Sequence, residues 1–361
     1  MGAARQGRRF GQYTGVTTPP EAAPPAPLVG LADIMAAADR LDGVTIRTPL
    51  LPFGDRAWLK PESLQPIGAF KLRGAYNAIA TLSAAARAAG VVTHSSGNHG
   101  QGVARAARLL GVRAVVVMPS EAPRIKIERV RADGAEIVLV GPSSEERAAR
   151  AVELARERGL TLVNPFDDDA VIAGQGTVGL EIVEQVADLD APRAGQEPGE
   201  PPPLTVLVPI GGGGLASGVA TAVRSLRPEA EVWGVEPELA ADARDSLREG
   251  RRVRWEPAQV GRTIADGMRP ASIGVRNLAH LRVYLSGVIV VGEDEIRRAM
   301  VRAADEARLV VEPSGATTLA AWCFHAPELA PTGRVVAILS GGNVDAGRYA
   351  QLIAEGRAAG G

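Results

Sequence analysis

From about Gly90 onward, short apolar runs rich in β-branched residues alternate with longer stretches whose apolar positions recur at helical spacing. VVTH at 91–94, VRAVVVM at 112–118, AEIVLV at 135–140, TLVNP at 161–165, LTVLVPI at 204–210, EVWGVEP at 231–237, VIVV at 288–291 and RVVAILS at 334–340 read as strands. Between them, GVARAARLL, residues 124–132, 145–157 and 176–186, and the stretches after GGGG, from Glu293 and from Ser314 read as helices. Apolar runs separated by amphipathic helices describe parallel strands covered on both faces. Ligands of such sheets bind beyond the carboxyl ends of strands, at the N-termini of the following helices. Three segments fall at that position: SSGNHG after VVTH, GGGG after VLVPI, and SGGN after VVAIL.

The flanks differ from this middle. Residues 1–27 are rich in Pro, Gly and Ala with little to bury, and no apolar stretch of signal-peptide type follows their arginines, so a mobile tail is expected. A Pro-rich stretch at 191–203 reads as an exposed loop, and the C-terminal AEGRAAGG reads as a fraying end. No apolar run approaches the roughly 20 residues of a membrane helix. A length of 361 residues suits two domains or one large α/β unit, and 46% hydrophobic with 22% charged residues excludes wholesale disorder and coiled-coil or collagen-like architecture. Forty basic against 41 acidic residues leave a net charge of −1, which points away from nucleic acid as a partner. The one cysteine, Cys323, can form neither an internal disulfide nor a cysteine zinc cluster, which fits a cytoplasmic location.

Candidate chemistry begins with the glycines. In VLVPIGGGGLASG a buried strand runs into Gly211, Gly212, Gly213 and Gly214 and then a helix, so backbone N–H groups can approach an anion closely. A P-loop is excluded, since no Lys-Ser/Thr pair follows. Gly211, Gly213 and Ala216 satisfy G-x-G-x-x-A, with Glu236 ending the next strand, so a dinucleotide-dependent oxidoreductase stays open as an alternative. The bases are unevenly split: three lysines, Lys60, Lys71 and Lys126, against 37 arginines. Lys71 lies among apolar Ala69, Phe70 and Leu72, and a lysine in such surroundings loses part of its preference for the charged form, as a Schiff-base lysine must.

LKPESLQPIGAFKLRGAYNA, THSSGNHGQGVA, VPIGGGGL, VEPSGA and LSGGNVD occur in this order. Together they resemble the pyridoxal-phosphate enzymes of fold type II, in particular the threonine/serine dehydratase and serine racemase group, over roughly residues 29–355. The resemblance implies an α/β fold of two open, twisted, mostly parallel sheets covered by helices. Its expected division is a tail over 1–28, a large cofactor-binding domain of 29–89 with 166–361, and a small domain of 90–165. It implies that Lys71 holds pyridoxal 5′-phosphate as a Schiff base, with Phe70 packed beside it. Asn98 would bond the cofactor's 3′ oxygen, Gly211 to Gly214 would wrap its phosphate, and Ser340, with Glu312 near the same ring edge, would face the pyridine nitrogen. A neutral hydroxyl at that nitrogen stabilises a carbanion less than a carboxylate does, which favours prompt loss of a β-substituent.

On the same resemblance Lys71 removes the Cα proton and Ser96 stands on the opposite face, although Ser96 could equally cap the following helix. Ser95, Asn98, His99 and Arg147 are candidates for the substrate carboxylate. Glu236, Asp242 and the Ala240 carbonyl resemble a site for Mg²⁺ or Ca²⁺, hard ions that take oxygen ligands. The activity implied is an ammonia-lyase, or dehydratase, of amino-acid metabolism. It turns a small-molecule β-hydroxy-α-amino acid such as L-threonine or L-serine into a 2-oxo acid and ammonia, with serine racemase as the alternative and a homodimer as the expected assembly. Ala69 replaces the serine frequent before the Phe-Lys pair, which opens the preference toward bulkier or more apolar β-hydroxy amino acids. The chain length leaves no room for the regulatory domain of biosynthetic threonine dehydratases, so isoleucine feedback is not expected.

Overall fold

The computed structural model describes residues 27–360 except 96, 123, 142, 192–198 and 330–332. The expected tail through residue 26, part of the Pro-rich loop and the Ser96 candidate therefore lie outside the described residues.

The strands form two sheets. One has six strands: β1 (Leu51–Phe53), β2 (Ala57–Pro61), β7 (Leu204–Pro209), β8 (Glu231–Pro237), β9 (Gly287–Val291) and β10 (Arg334–Leu339) in the order β1-β2-β10-β7-β8-β9. Only the β1–β2 hairpin at its edge is antiparallel. The other sheet is parallel, with β3 (Val91–His94), β4 (Ala114–Pro119), β5 (Glu136–Val140) and β6 (Thr161–Leu162) in the order β5-β4-β3-β6. Central strands β4 and β7 are buried at every position, which is why they read as unbroken apolar runs. Edge strand β5 leaves Glu136 and Leu139 exposed.

Helices α1 (Leu31–Leu41), α2 (Lys71–Ala80), α3 (Ala84–Ala89), α4 (Asn98–Leu110), α5 (Arg124–Ala132), α6 (Ser144–Arg158) and α7 (Asp169–Asp190) occupy the first half of the chain. Helices α8 (Gly214–Leu226), α9 (Asp242–Glu249), α10 (Pro257–Val260), α11 (Val275–Tyr284), α12 (Glu293–Asp305), α13 (Pro313–His325) and α14 (Ala346–Ala358) complete it. Helices α5 and α6 and strands β3 to β6 make up the four-stranded unit, and α4 rests between it and α2.

Two expectations are corrected. The helix expected from residue 176 begins at Asp169, because the Asp168 carboxylate caps it by accepting the Val171 N–H at 2.9 Å. Its glycines look like helix breakers in sequence but serve close packing: a Cβ on Gly174 would stand 2.6 Å from the Arg73 carbonyl, and one on Gly218 of α8 would stand 2.3 Å from that of Ile172. The strand expected over TLVNP ends after Leu162. Beyond it the carbonyls turn to side chains: that of Val163 accepts from Thr93 and faces His99, and that of Pro165 accepts from Lys71.

Candidate active site

Lys71 opens α2 immediately after a tight turn. Gly68 supplies a positive φ of 73°, and a side chain there would collide with Asn343. The turn is stapled to the end of β10: the Phe70 N–H donates to the Ser340 carbonyl at 3.1 Å, Gly342 N–H donates to the Gly68 carbonyl at 2.9 Å, and Ala69 bridges to Gly341. Lys71 and Ser340 are thus neighbours by backbone bonding across some 270 residues of sequence. On its other side α4 approaches the Lys71 backbone so closely that a Cβ on Gly102 would lie 3.1 Å from the Lys71 carbonyl.

The Lys71 ammonium lies 5.0 Å from the centre of the Phe70 ring and donates to the Pro165 carbonyl at 2.8 Å. No carboxylate among the described residues forms an ion pair with it. Burial without a counter-charge pushes its pKa down to about 8, so the free amine is far more accessible near neutral pH than for an ordinary lysine, although the protonated form still predominates at pH 7. The glycine loop follows β7 and leads into α8, whose first-turn N–H groups have no intrahelical acceptor. A residue that sequence reasoning missed, Phe166, lies directly against this loop; a side chain on Gly212 would strike its ring. An anion cradle beside a buried amine of lowered pKa fits a cofactor carrying both a phosphate and an aldehyde.

Asn98 begins α4, and its Nδ2 donates to Glu312 Oε1 at 2.6 Å while its Oδ1 accepts from Asn343 Nδ2 at 2.8 Å. Burial and the Asp266 carboxylate push the Glu312 pKa up to about 8, so this side chain is mostly a neutral acid at neutral pH. Asp266 is itself held by Lys126 at 2.8 Å. Ser340 is buried at the β10 terminus. Ser95 Oγ accepts the Gly97 N–H at 3.1 Å. His99 is buried, bonds the Val163 carbonyl through Nε2 and leaves Nδ1 without a partner; burial and the Lys71 charge hold it neutral. Arg147 is buried on α6, where its charge helps depress the pKa of half-buried His94. The structure brings Phe70, Lys71, Asn98, Glu312 and Ser340 into one connected cluster, with Arg147 farther into the four-stranded unit.

Glu236 and Asp242 sit apart from this cluster. Glu236 accepts the N–H groups of Ala243 and Arg244 at 2.9 and 2.8 Å, capping α9, and Asp242 accepts the Ile273 N–H at 2.7 Å. Burial pushes both carboxyl pKa values up, that of Asp242 to about 7, and their mutual repulsion adds to the shift at Glu236. Two desolvated acids of this kind suit a divalent cation, with the Ala240 carbonyl close in the chain. The described residues hold no cluster of three or more His, Cys, Asp or Glu disposed for a metal.

A second polar cluster was not foreseen from the sequence. Arg73, one residue beyond Leu72, donates to both Glu62 oxygens at 2.7 and 2.9 Å and to both Glu181 oxygens at 2.6 and 3.0 Å. Lys60 donates to Glu181 at 2.6 Å, to Gln185 at 2.9 Å and to the Thr48 carbonyl at 2.7 Å.

An enzyme built on a buried amine and a phosphate cradle is the class these elements define. The family model for "pyridoxal-phosphate dependent enzyme" matches residues 42–341, and the chain belongs to that family. It is 38% identical over 328 residues to the L-threo-3-hydroxyaspartate ammonia-lyase of Saccharomyces cerevisiae, covering 89% of this chain and 95% of that one. Among solved structures it is similar to the serine racemase of Dictyostelium discoideum, with a TM-score of 0.78 and 37% identity over 88% of this chain and 99% of that one. Maize serine racemase gives a TM-score of 0.81 and 35% identity over 91% and 97% of the two chains. The chain is therefore a pyridoxal-phosphate enzyme of the ammonia-lyase and racemase group, with the fold type II architecture. The dinucleotide alternative falls away, because the glycine run belongs to this family's frame. No helix among the described residues is long and apolar enough to cross a membrane.

Proposed function

We propose that the chain is an ammonia-lyase that removes the β-hydroxyl of a β-hydroxy-α-amino acid such as L-threonine or L-serine, releasing a 2-oxo acid and ammonia. The observation that carries this reading is the backbone bond from Phe70 to Ser340, which joins the lysine turn to the end of β10, where the chain offers a serine and not a carboxylate. Bound pyridoxal phosphate supplies a conjugated ring that withdraws electrons from the substrate's Cα.

The chain's residues do the rest. Lys71 holds the cofactor and, with a pKa near 8, accepts the Cα proton at its Nζ. Gly211 to Gly214 and the α8 N-terminus hold the phosphate, Phe70 packs beside the ring and Asn98 donates to its 3′ oxygen. Glu312, mostly protonated at neutral pH, adds no full negative charge at the ring edge. Ser95, Asn98, neutral His99 and Arg147 receive the substrate carboxylate. Glu236, Asp242 and the Ala240 carbonyl bind Mg²⁺ or Ca²⁺, and the resemblance supports a homodimer as the working assembly. Fully buried Ala69 brings no hydroxyl to the turn, so bulkier β-hydroxy amino acids are included in the substrate range.

The test is a panel of L-serine, L-threonine, threo-3-hydroxyaspartate and phenylserine, read by a keto-acid and ammonia assay together with chiral chromatography. Keto acid is expected to exceed any D-amino acid formed. A racemase needs a second proton-transfer group opposite Lys71, the part Ser96 would play; D-serine appearing faster than pyruvate from L-serine would put that reading in first place. No ammonia from any of the four substrates would remove the lyase assignment.

A further inference from the structure

The Asn98 amide has two chemically different ends, and the structure fixes which way they point. Arg129, half-buried on α5 of the four-stranded unit, donates through Nη1 to Asn343 Oδ1 at 2.5 Å. A guanidinium can only donate, so the oxygen of Asn343 must face it. The Asn343 nitrogen then donates at 2.7 Å to the Ile67 carbonyl, which can only accept, and at 2.8 Å to Asn98 Oδ1. With its oxygen engaged, Asn98 turns its nitrogen to Glu312 at 2.6 Å and keeps one N–H in reserve. Every link has one permitted direction, set by a pure donor at the start and a pure acceptor beside it. Asn343 is also pinned sterically, since a Cβ on Gly68 would come within 2.5 Å of its Oδ1.

We propose that Arg129 and Asn343 are positioning residues that hold the Asn98 amide as a hydrogen-bond donor toward the cofactor's 3′ oxygen. This rests on the proposed placement of Asn98 at that oxygen. Asn343, Ile67 and Glu312 come from the segments that carry or flank the six-stranded sheet, whereas the polarising donor comes from α5 on the other sheet. The orientation of one amide beside the ring is therefore set from both units at once, by the Ile67 carbonyl on one side and Arg129 on the other. A donor at a phenolic oxygen holds its negative charge and weakens its grip on a neighbouring imine proton. Loss of the donor lets that proton remain to higher pH.

The visible absorbance of the holoenzyme, titrated with pH, reads this directly in the parent, Arg129→Met and Asn343→Leu. Arg129→Met keeps the apolar stem and removes the polarising donor. Asn343→Leu keeps most of the side-chain volume and adds no charge but cannot donate to Asn98, so a merely structural Asn343 would leave the titration in place. Both variants are expected to move the midpoint of the yellow band upward by about one pH unit, a tenfold change in proton affinity. Melting temperature, followed in parallel, identifies a variant that has lost its fold. A parent with no visible band would bring down the cofactor reading and this inference with it. A normal band in the parent with a midpoint unchanged in either folded variant would overturn the positioning role alone.

Discussion

Lys60 and Lys71 are both buried lysines, and desolvation is the largest influence on each, yet the molecule uses them in opposite ways. Lys60 is met by Glu181, with Glu62 and Arg73 completing a network in which donors face acceptors. Its pKa falls, but the two carboxylates restrain the fall. Lys71 has one carbonyl and an aromatic face in place of a carboxylate. The difference lies in the counter-charges. A buried ammonium with partners is a structural cation, and one without them is an amine available for chemistry.

The sharpest way to break this comparison is to remove each lysine's chemistry in turn. Lys71→Met should abolish turnover, a loss of about 10³-fold or more for a residue that is both cofactor anchor and base. Borohydride reduction of the parent followed by peptide mapping should place the pyridoxyl group on Lys71, and a label on Lys60 or Lys126 would refute the assignment. Next in size is the structural network. Glu62→Gln leaves Lys60 and Arg73 to share the one carboxylate of Glu181, a net positive charge in a buried network, and breaking a buried pair from one side costs about 3–5 kcal/mol. Denaturant unfolding should show that loss, and a change below about 1 kcal/mol would mean that the network relaxes into water.

The third test uses pH. In the cofactor-free protein the Lys71 pKa is about 8, against an ordinary 10.5 when unfolded. Below pH 8 both states carry the proton and the burial cost is fully present. Between those values the unfolded chain holds more protons, so native stability rises with pH, by about 3 kcal/mol in all. Lys71→Met lacks this rise, so its stability advantage over the cofactor-free parent should shrink across that window. A difference that does not vary with pH would show that the amine is ordinary.

The strand–helix alternation was legible because fully buried parallel strands leave unbroken apolar runs, as in AVVVMP and LTVLVP. The β1–β2 hairpin was not, since Leu51–Phe53 is three residues long and half-exposed at its first position. Among site residues, the glycine loop and Lys71 follow from local composition. The ionic network could not be read in advance: Glu62, Arg73 and Glu181 are scattered, and only the packing of α2 on α7 through Gly74 and Gly174 unites them. Asn343 stood within a motif already singled out, but its part depends on Arg129, an arginine indistinguishable in sequence from the many on helix surfaces. Phe166 carries no periodic signal at all.

The lysine pairings also govern how the protein meets aldehydes in general. Guanidinium groups do not form stable imines, and this chain carries almost all its positive charge on them. Of the three side-chain amines, Lys60 is sealed within its carboxylates and Lys126 is tied to Asp266, which leaves Lys71 as the one buried without a carboxylate and with its pKa lowered to about 8. A reactive carbonyl cofactor supplied in excess thus meets few competing nucleophiles on its way in, and a sugar or lipid aldehyde finds little on the surface to modify. Selectivity for one covalent attachment point is achieved by leaving the alternatives out of the amino-acid composition.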